Sequence, residues 1–152
     1  MNYEEQKIRE VITALFKGAD QHNWEKVKQV LAGEVLLDYT SMTGAAPSML
    51  SPQLIVDSWA GFLPGFDKTH HQLSGFRVKR SGDQALANYF GKADHFIAGK
   101  VWTVEGTYET ELYKLAGEWK ITKQTFRLSG QSGELGLPTI AADRMKNKNS
   151  PS

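Results

Sequence analysis

The sequence predicts an α+β fold in which three N-terminal helices pack on one face of a curved antiparallel sheet. Two observations lead there. Apolar residues recur at three- and four-residue steps as far as Phe62, and from His71 onward the pattern changes to strict alternation. No repeat and no second shift of composition interrupts the chain. One domain over residues 1–130 is therefore expected, followed by a tail over 131–152.

Ile8, Val11, Ile12, Leu15, Phe16 and Ala19 mark residues 4–19 as an amphipathic helix that ends near Asp20. Asn23 is a candidate N-cap for a second helix, with Trp24, Val27, Val30 and Leu31 on one face and Gly33 at its close. VLLDYT, Val35 to Thr40, then reads as a short strand and TGAAPSM as a loop. Ser51 and Pro52 form a cap and first-turn pair opening a third helix, whose forward face carries Leu54, Ile55, Ser58, Trp59 and Phe62. Four strands follow, HQLSGFRVKR, QALANYFGKADHF, KVWTVEGTYETELYKL and EWKITKQTFRL, separated by the turn signals SGD, IAG and AG. The tail beyond Gly130 loses periodicity; it is expected to be partly disordered, or to let LGLPTI fold over a pocket or a neighbouring subunit.

Parity shows which side chains face inward. On the strand from Gln84 to Phe96 the odd positions are Ala85, Ala87, Tyr89, Gly91, Ala93 and His95, a face of mostly small residues that leaves room for a cavity into which His95 projects. On the next strand the less polar set is Trp102, Val104, Gly106, Tyr108, Thr110 and Leu112. In the doublet His70–His71, parity with Leu73 turns His71 inward and leaves His70 outside. A bulge at Ser74 and Gly75 then accounts for the apolar even positions Phe76 and Val78.

Charged residues make up 23 % of the 152-residue chain and the formal net charge is +1, so the basic footprint of a nucleic-acid binder is missing. With no cysteine, disulfides, thiolate metal sites and a cysteine nucleophile are excluded. MNYEEQKIRE is charged where a signal peptide needs an apolar run, and no apolar window approaches the ~18 residues of a membrane span. A cytoplasmic protein without membrane contact is expected. No phosphate-binding loop or dinucleotide fingerprint occurs, and no cofactor is expected. Two imidazoles and a carboxylate have the composition of a facial metal site, but neither H-x-D nor H-E-x-x-H spacing supports one, so no metal is expected either.

The element order, DQHNW followed by LLDYTSM, then KTHHQLSG, ADHF and GTYETELYKLAGEWKI, resembles the nuclear transport factor 2-like superfamily over residues 4–128. Within it the chain resembles the SnoaL-like branch that includes scytalone dehydratase and bile-acid dehydratases. The resemblance implies a cone-shaped α+β barrel of the cystatin-like kind. It also implies that Asp20 supports a catalytic histidine, that His95 is that histidine, that Tyr39 helps hold an active-site water and that His71 is a second histidine. Tyr108 and Gly106 fall on substrate-binding positions, beside which Tyr89, Trp102 and Trp59 complete the expected binding set. Ala19, Gly106 and Tyr108 depart from the residues of scytalone dehydratase, which implies a different substrate.

The expected chemistry is acid/base enolisation. Asp20 would fix the tautomer of His95, His95 would take a proton next to a carbonyl, and Tyr39, His71 or a water would serve the oxygen. The expected function is a cofactor-independent lyase of dehydratase type, or an isomerase, acting on a mainly apolar cyclic or polyketide-like carbonyl compound. The alternatives are a polyketide-cyclase-like enzyme and a non-catalytic binding or interaction module of the same fold. A homodimer or homotrimer is expected, with a small apolar or aromatic carbonyl compound as the partner molecule.

Overall fold

Asn2 starts the first helix by accepting the Glu5 amide at 2.9 Å, and Glu4 and Glu5 in the first turn complement the helix dipole. The computed structural model describes residues 2–148. In chain order, α1 is Tyr3–Asp20, α2 Trp24–Gln29, β1 Leu31–Asp38, α3 Thr40–Thr43, β2 Ser48–Leu50 and α4 Pro52–Ala60. A 3-10 turn, Leu63–Gly65, leads to β3 Lys68–Ser81, β4 Gln84–Ile97, β5 Lys100–Leu115, β6 Glu118–Gly133 and α5 Leu137–Lys148.

The strands form one six-stranded sheet in the order β2-β1-β6-β5-β4-β3. Every pairing is antiparallel except β1 with β6, which is parallel and departs from the purely antiparallel expectation. The helices lie on the concave side. Ile8, Ile12, Leu15 and Phe16 of α1 are buried against the sheet, each such side chain worth roughly 1.5–3 kcal/mol relative to exposure. Glu4 pins the start of α1 by accepting from Lys114 at 2.8 Å and from the Trp119 indole at 2.7 Å.

The expected caps are present: Asn23 accepts the Lys26 amide and Ser51 the Leu54 amide, each at 3.2 Å. The second helix ends at Gln29 rather than at Gly33, because the Val30 carbonyl accepts the Ile121 amide at 2.8 Å and draws Leu31 onward into β1 beside β6. TGAAPSM is not all loop: α3 ends on its first residue, Thr43, and β2 uses its Ser48 and Met49. On α4, Ile55 and Val56 are buried while Leu54 is exposed, one step of rotation from the expected face.

Parity holds through β4, where the odd positions from Ala85 to Ile97 are all buried. The β3 register slips between Ser74 and Arg77, with Gly75 at φ +68, where the bulge is expected. Strand β6 carries two further bulges. Glu111 and Leu112 pair with Lys123 and Ile121, leaving Thr122 over, and Glu105 and Gly106 pair with Gly130 and Leu128, leaving Ser129 over.

The tail is more ordered than its composition implies. Strand β6 runs on to Gly133, and α5 buries Leu137, Ala141 and Met145 against the 3-10 turn and the ends of β4 and β5. Arg144 reaches the Gly65 carbonyl at 3.2 Å and Asp67 at 2.8 Å. It therefore braces the turn that carries Leu63 rather than covering a pocket. The part of the expected disorder that falls on residues 149–152 lies outside the described residues. Among the described residues no helix is long and apolar enough to cross a membrane.

Candidate active site

Asp20 is the last residue of α1, which runs along β3, and its carboxylate meets three donors there. Oδ1 accepts from the Thr69 hydroxyl at 2.8 Å and lies 2.6 Å from His71 Nδ1, while Oδ2 accepts the His71 amide at 2.8 Å. Burial alone pushes the Asp20 carboxyl up, but the hydrogen bonds and charge of His71 and the Thr69 hydroxyl outweigh it and hold it below the usual carboxylate range. Beside an ionised Asp20, a His71 ring that carries a single proton holds it on Nδ1. Nε2 of His71 is then a bare acceptor, and the residue lines the cavity.

This pairing corrects the expectation that Asp20 supports His95. In the β3–β4 ladder Thr69 lies opposite His95 and His71 opposite Ala93. The carboxylate at the end of α1 therefore reaches β3 side chains and not the imidazole one strand further in. His95 instead donates Nδ1–H to the Trp102 carbonyl at 3.0 Å, against Phe66 at a ring-centroid distance of 4.9 Å. Burial pushes its imidazole down to about 4, assisted by the neighbouring His71 and opposed by the Trp102 hydrogen bond, Asp20 and Asp94. At neutral pH His95 is uncharged, with Nε2 as its acceptor. The two imidazoles stand 6.3 Å apart between centroids and share the cavity.

That cavity has a volume of about 470 Å³. Among the described residues its lining contains no Lys, Arg, Asp or Glu, and Asp20 bears on it through His71. The walls are carbon-rich, with Phe16, Met42, Trp59, Phe62, Leu63 and Trp102 prominent. Tyr39 and Tyr108 also line it. Burial pushes the Tyr39 phenol up to about 12, opposed by the Gln124 amide and the Tyr108 hydroxyl, and burial raises Tyr108 well above the ordinary range too. Both are neutral hydroxyls that can donate.

The expected binding set divides. Tyr108, Trp102 and Trp59 line the cavity, whereas Tyr89 and Gly106 do not. Tyr89 is stacked between Phe76 and Tyr108, and its hydroxyl is tied to Thr110 at 2.7 Å, so it belongs to the layer behind the cavity. Gly106 is a packing position, where a Cβ would overlap the Arg127 carbonyl and the Phe126 ring. Nor do all the small residues of β4 leave open space: above Gly91 lies the Tyr108 ring, and Ala93 is the one beside His95 that faces the cavity. His70 and His22 are exposed, Asp38 caps the Thr40 amide at 3.1 Å, and Asp94 accepts from Thr103 at 2.6 Å.

Sequence reasoning passed over Thr69 and Gln124. Thr69 shares the parity of His71 two residues later and was open to detection in KTHH. Gln124 was concealed by the extra residue Thr122, which turns it to the same side as Ile121.

Several solved structures share this architecture. The Kfla4162 protein from Kribbella flavida is 22 % identical, with 90 % of this chain and 95 % of that one covered at a TM-score of 0.82. Hexachlorocyclohexane dehydrochlorinase LinA-type3 from Novosphingobium barchaimii is 13 % identical, with coverage of 88 % and 91 % and a TM-score of 0.74. An NTF2-like protein with a cystatin-like fold from Novosphingobium aromaticivorans is 16 % identical, with coverage of 90 % and 87 % and a TM-score of 0.71. What they share with this chain is the fold. No curated protein sequence matches it. The profile of the SnoaL-like domain matches residues 3–125, which takes in α1 and every strand up to the Thr125 step of β6, and the chain belongs to that family.

Proposed function

We propose that the chain is a cofactor-independent lyase that eliminates a small leaving group from a mainly apolar, uncharged cyclic or polyketide-like carbonyl compound. The observation that carries this reading is the Asp20–His71 pair, 2.6 Å apart, opening on an uncharged cavity of about 470 Å³. A carbon acid held there loses its α-proton to His71 Nε2, and the positive charge arising on the ring lies beside the Asp20 carboxylate. The electron pair moves into the carbonyl, whose oxygen faces the Tyr39 and Tyr108 hydroxyls. When a hydroxyl sits β to that carbonyl, the C–O bond breaks as the enolate collapses. His71 then returns its proton to the departing hydroxide, giving water and an enone. His95, uncharged and tied by Nδ1 to a backbone carbonyl, accepts a hydrogen bond from the substrate hydroxyl and orients it.

The absence of charge on the walls argues for an uncharged substrate, since a carboxylate or phosphate would be desolvated without a partner. A dehydrochlorinase named for a cyclic hexachloride has this fold, so elimination from an apolar ring is within its reach. Return of the proton to another carbon would make the enzyme an isomerase.

The test is exchange and turnover. The purified chain in D2O with cyclic β-hydroxy ketones is expected to show deuterium entering at the α-carbon and enone appearing, both lost in His71→Ala. Turnover surviving in a folded His71→Ala variant refutes the assignment. Tight binding of such ketones with neither exchange nor elimination makes the chain a binding module.

A further inference from the structure

Gln124 is 1 % exposed and belongs to a layer of polar groups behind the cavity. Its Oε1 accepts from the Thr110 hydroxyl at 2.6 Å, and the Tyr89 hydroxyl stands 2.7 Å from the same Thr110 oxygen. The amide oxygen is thus committed toward Thr110 and Tyr89, and the NH2 group is left over. Nε2 has no hydrogen-bond partner, and it is the one buried side-chain polar atom among the described residues of which this is true. A buried donor is costly to leave unpaired, and native proteins rarely do so without a use for it.

Strand register places Gln124 between the strand that leads to Tyr39 and the strand that carries Tyr108. In the parallel pair Gln124 lies opposite Leu37, two residues before Tyr39, and in the antiparallel pair it lies opposite Thr110, two residues after Tyr108. Phe126, on the same side of β6, touches both tyrosine rings at 5.7 and 4.7 Å between centroids. The Gln124 amide is near enough to the Tyr39 phenol to favour its ionised form against the effect of burial, yet no hydrogen bond between them is closed.

We infer that Gln124 is a positioning residue for the oxyanion end of the cavity, its Nε2–H closing onto the Tyr39 oxygen as Tyr39 donates to a substrate enolate. An N–H aimed at the Tyr39 oxygen leaves the phenolic hydrogen free to point into the cavity. As that hydrogen is drawn to a negative oxygen, the phenolic oxygen becomes a better acceptor and the contact with Nε2 tightens. The interaction is stronger with the charged species than with the neutral one, which is the form of binding that accelerates a reaction. The inference rests on the reading that Tyr39 faces the enolate oxygen.

Two probes separate these statements in the full chain, 4-nitrophenolate as the oxyanion and 4-nitroanisole as its uncharged counterpart, both followed by absorbance. Gln124→Met is expected to weaken 4-nitrophenolate about tenfold, raising the titration midpoint of bound 4-nitrophenol by about one pH unit, with 4-nitroanisole changed less than about twofold. Tyr39→Phe is expected to weaken the phenolate at least as much. Should Gln124→Met not fold, Gln124→Asn withdraws the amide by one methylene with the same expectation. Equal loss of both probes, or loss of neither, overturns the role of Gln124 while Tyr39→Phe still loses the phenolate. A Tyr39→Phe variant that binds the phenolate as wild type does, or a wild type that does not bind it, overturns the oxyanion reading and the inference with it.

Discussion

Replacing His95 with asparagine is expected to remove a pH dependence of stability while keeping a donor for the Trp102 carbonyl. The imidazole titrates ordinarily at 6.5 and in the folded protein at about 4, chiefly because it is buried. Its folded-state value lies below its unfolded one, so the unfolded chain binds the proton first as pH falls. The contribution is complete above pH 6.5 and is lost on the way down to 4. From those two values the loss amounts to about 2 kcal/mol between pH 7 and 5 and about 3 kcal/mol by pH 4. Asp20, held low, acts in the same direction, but its loss comes below its ordinary 3.8, outside a window of pH 5–7. Urea unfolding of wild type and His95→Asn, followed by tryptophan fluorescence at pH 7, 6 and 5, measures the difference directly. The asparagine variant is less stable at pH 7 by a constant packing term, and the gap narrows by about 2 kcal/mol at pH 5. Two curves that stay parallel across the window refute the buried, uncharged state of His95.

Asp20→Asn replaces an acceptor of three donors by a group that must turn its own NH2 toward one of them; kcat is expected to fall on the order of 10²–10⁴-fold, measured with whichever cyclic ketone wild type turns over. Gly91→Ala sets a methyl against the Tyr108 ring and drives it toward the cavity, so 4-nitroanisole binding is lost and chemical denaturation shows a cost of about 1–3 kcal/mol. Arg144→Ala removes an exposed ion pair with Asp67 and is expected to change stability by less than about 1 kcal/mol, less still in high salt. Leu137→Ala, at a position 2 % exposed, loosens α5 itself; about 2–5 kcal/mol is expected, with earlier proteolytic cleavage between β6 and α5.

Most of this architecture is legible in local chemistry. The caps Asn23 and Ser51, the span KVWTVEGTYETELYKL, the inward parity of β4 and the bulge before Phe76 each depend on neighbouring residues alone, and each is found where the sequence puts it. What escapes depends on contacts distant along the chain. Helix α5 is weakly amphipathic and is held by packing against the 3-10 turn and by Arg144, so LGLPTI and the residues after it look structureless on their own. The site divides in the same way. Parity brings His71 and His95 to one cavity, but which of them Asp20 serves is decided by where α1 crosses the sheet, and α1 crosses at β3. Tyr89 is inward as expected, yet Thr110 claims its hydroxyl and Phe76 and Tyr108 cover its faces.

The two surplus residues of β6 bear on how such a pocket changes shape. At Thr122 and Ser129 two residues of β6 stand against one of β5, so the side chains before and after each bulge keep to the same faces. Loss of either residue leaves Gln124, Phe126 and Leu128 pointing as they do now, whereas loss of a residue between the bulges exchanges the faces of its neighbours. What a deletion at the bulge removes is the bend and the extra twist that it lends the strand. Phe126 of β6 and its ladder partner Tyr108 of β5, both in the pocket lining, stand between the two bulges, so that bend sets where their rings sit. The shape of the pocket is therefore open to adjustment by chain length at two positions outside its lining.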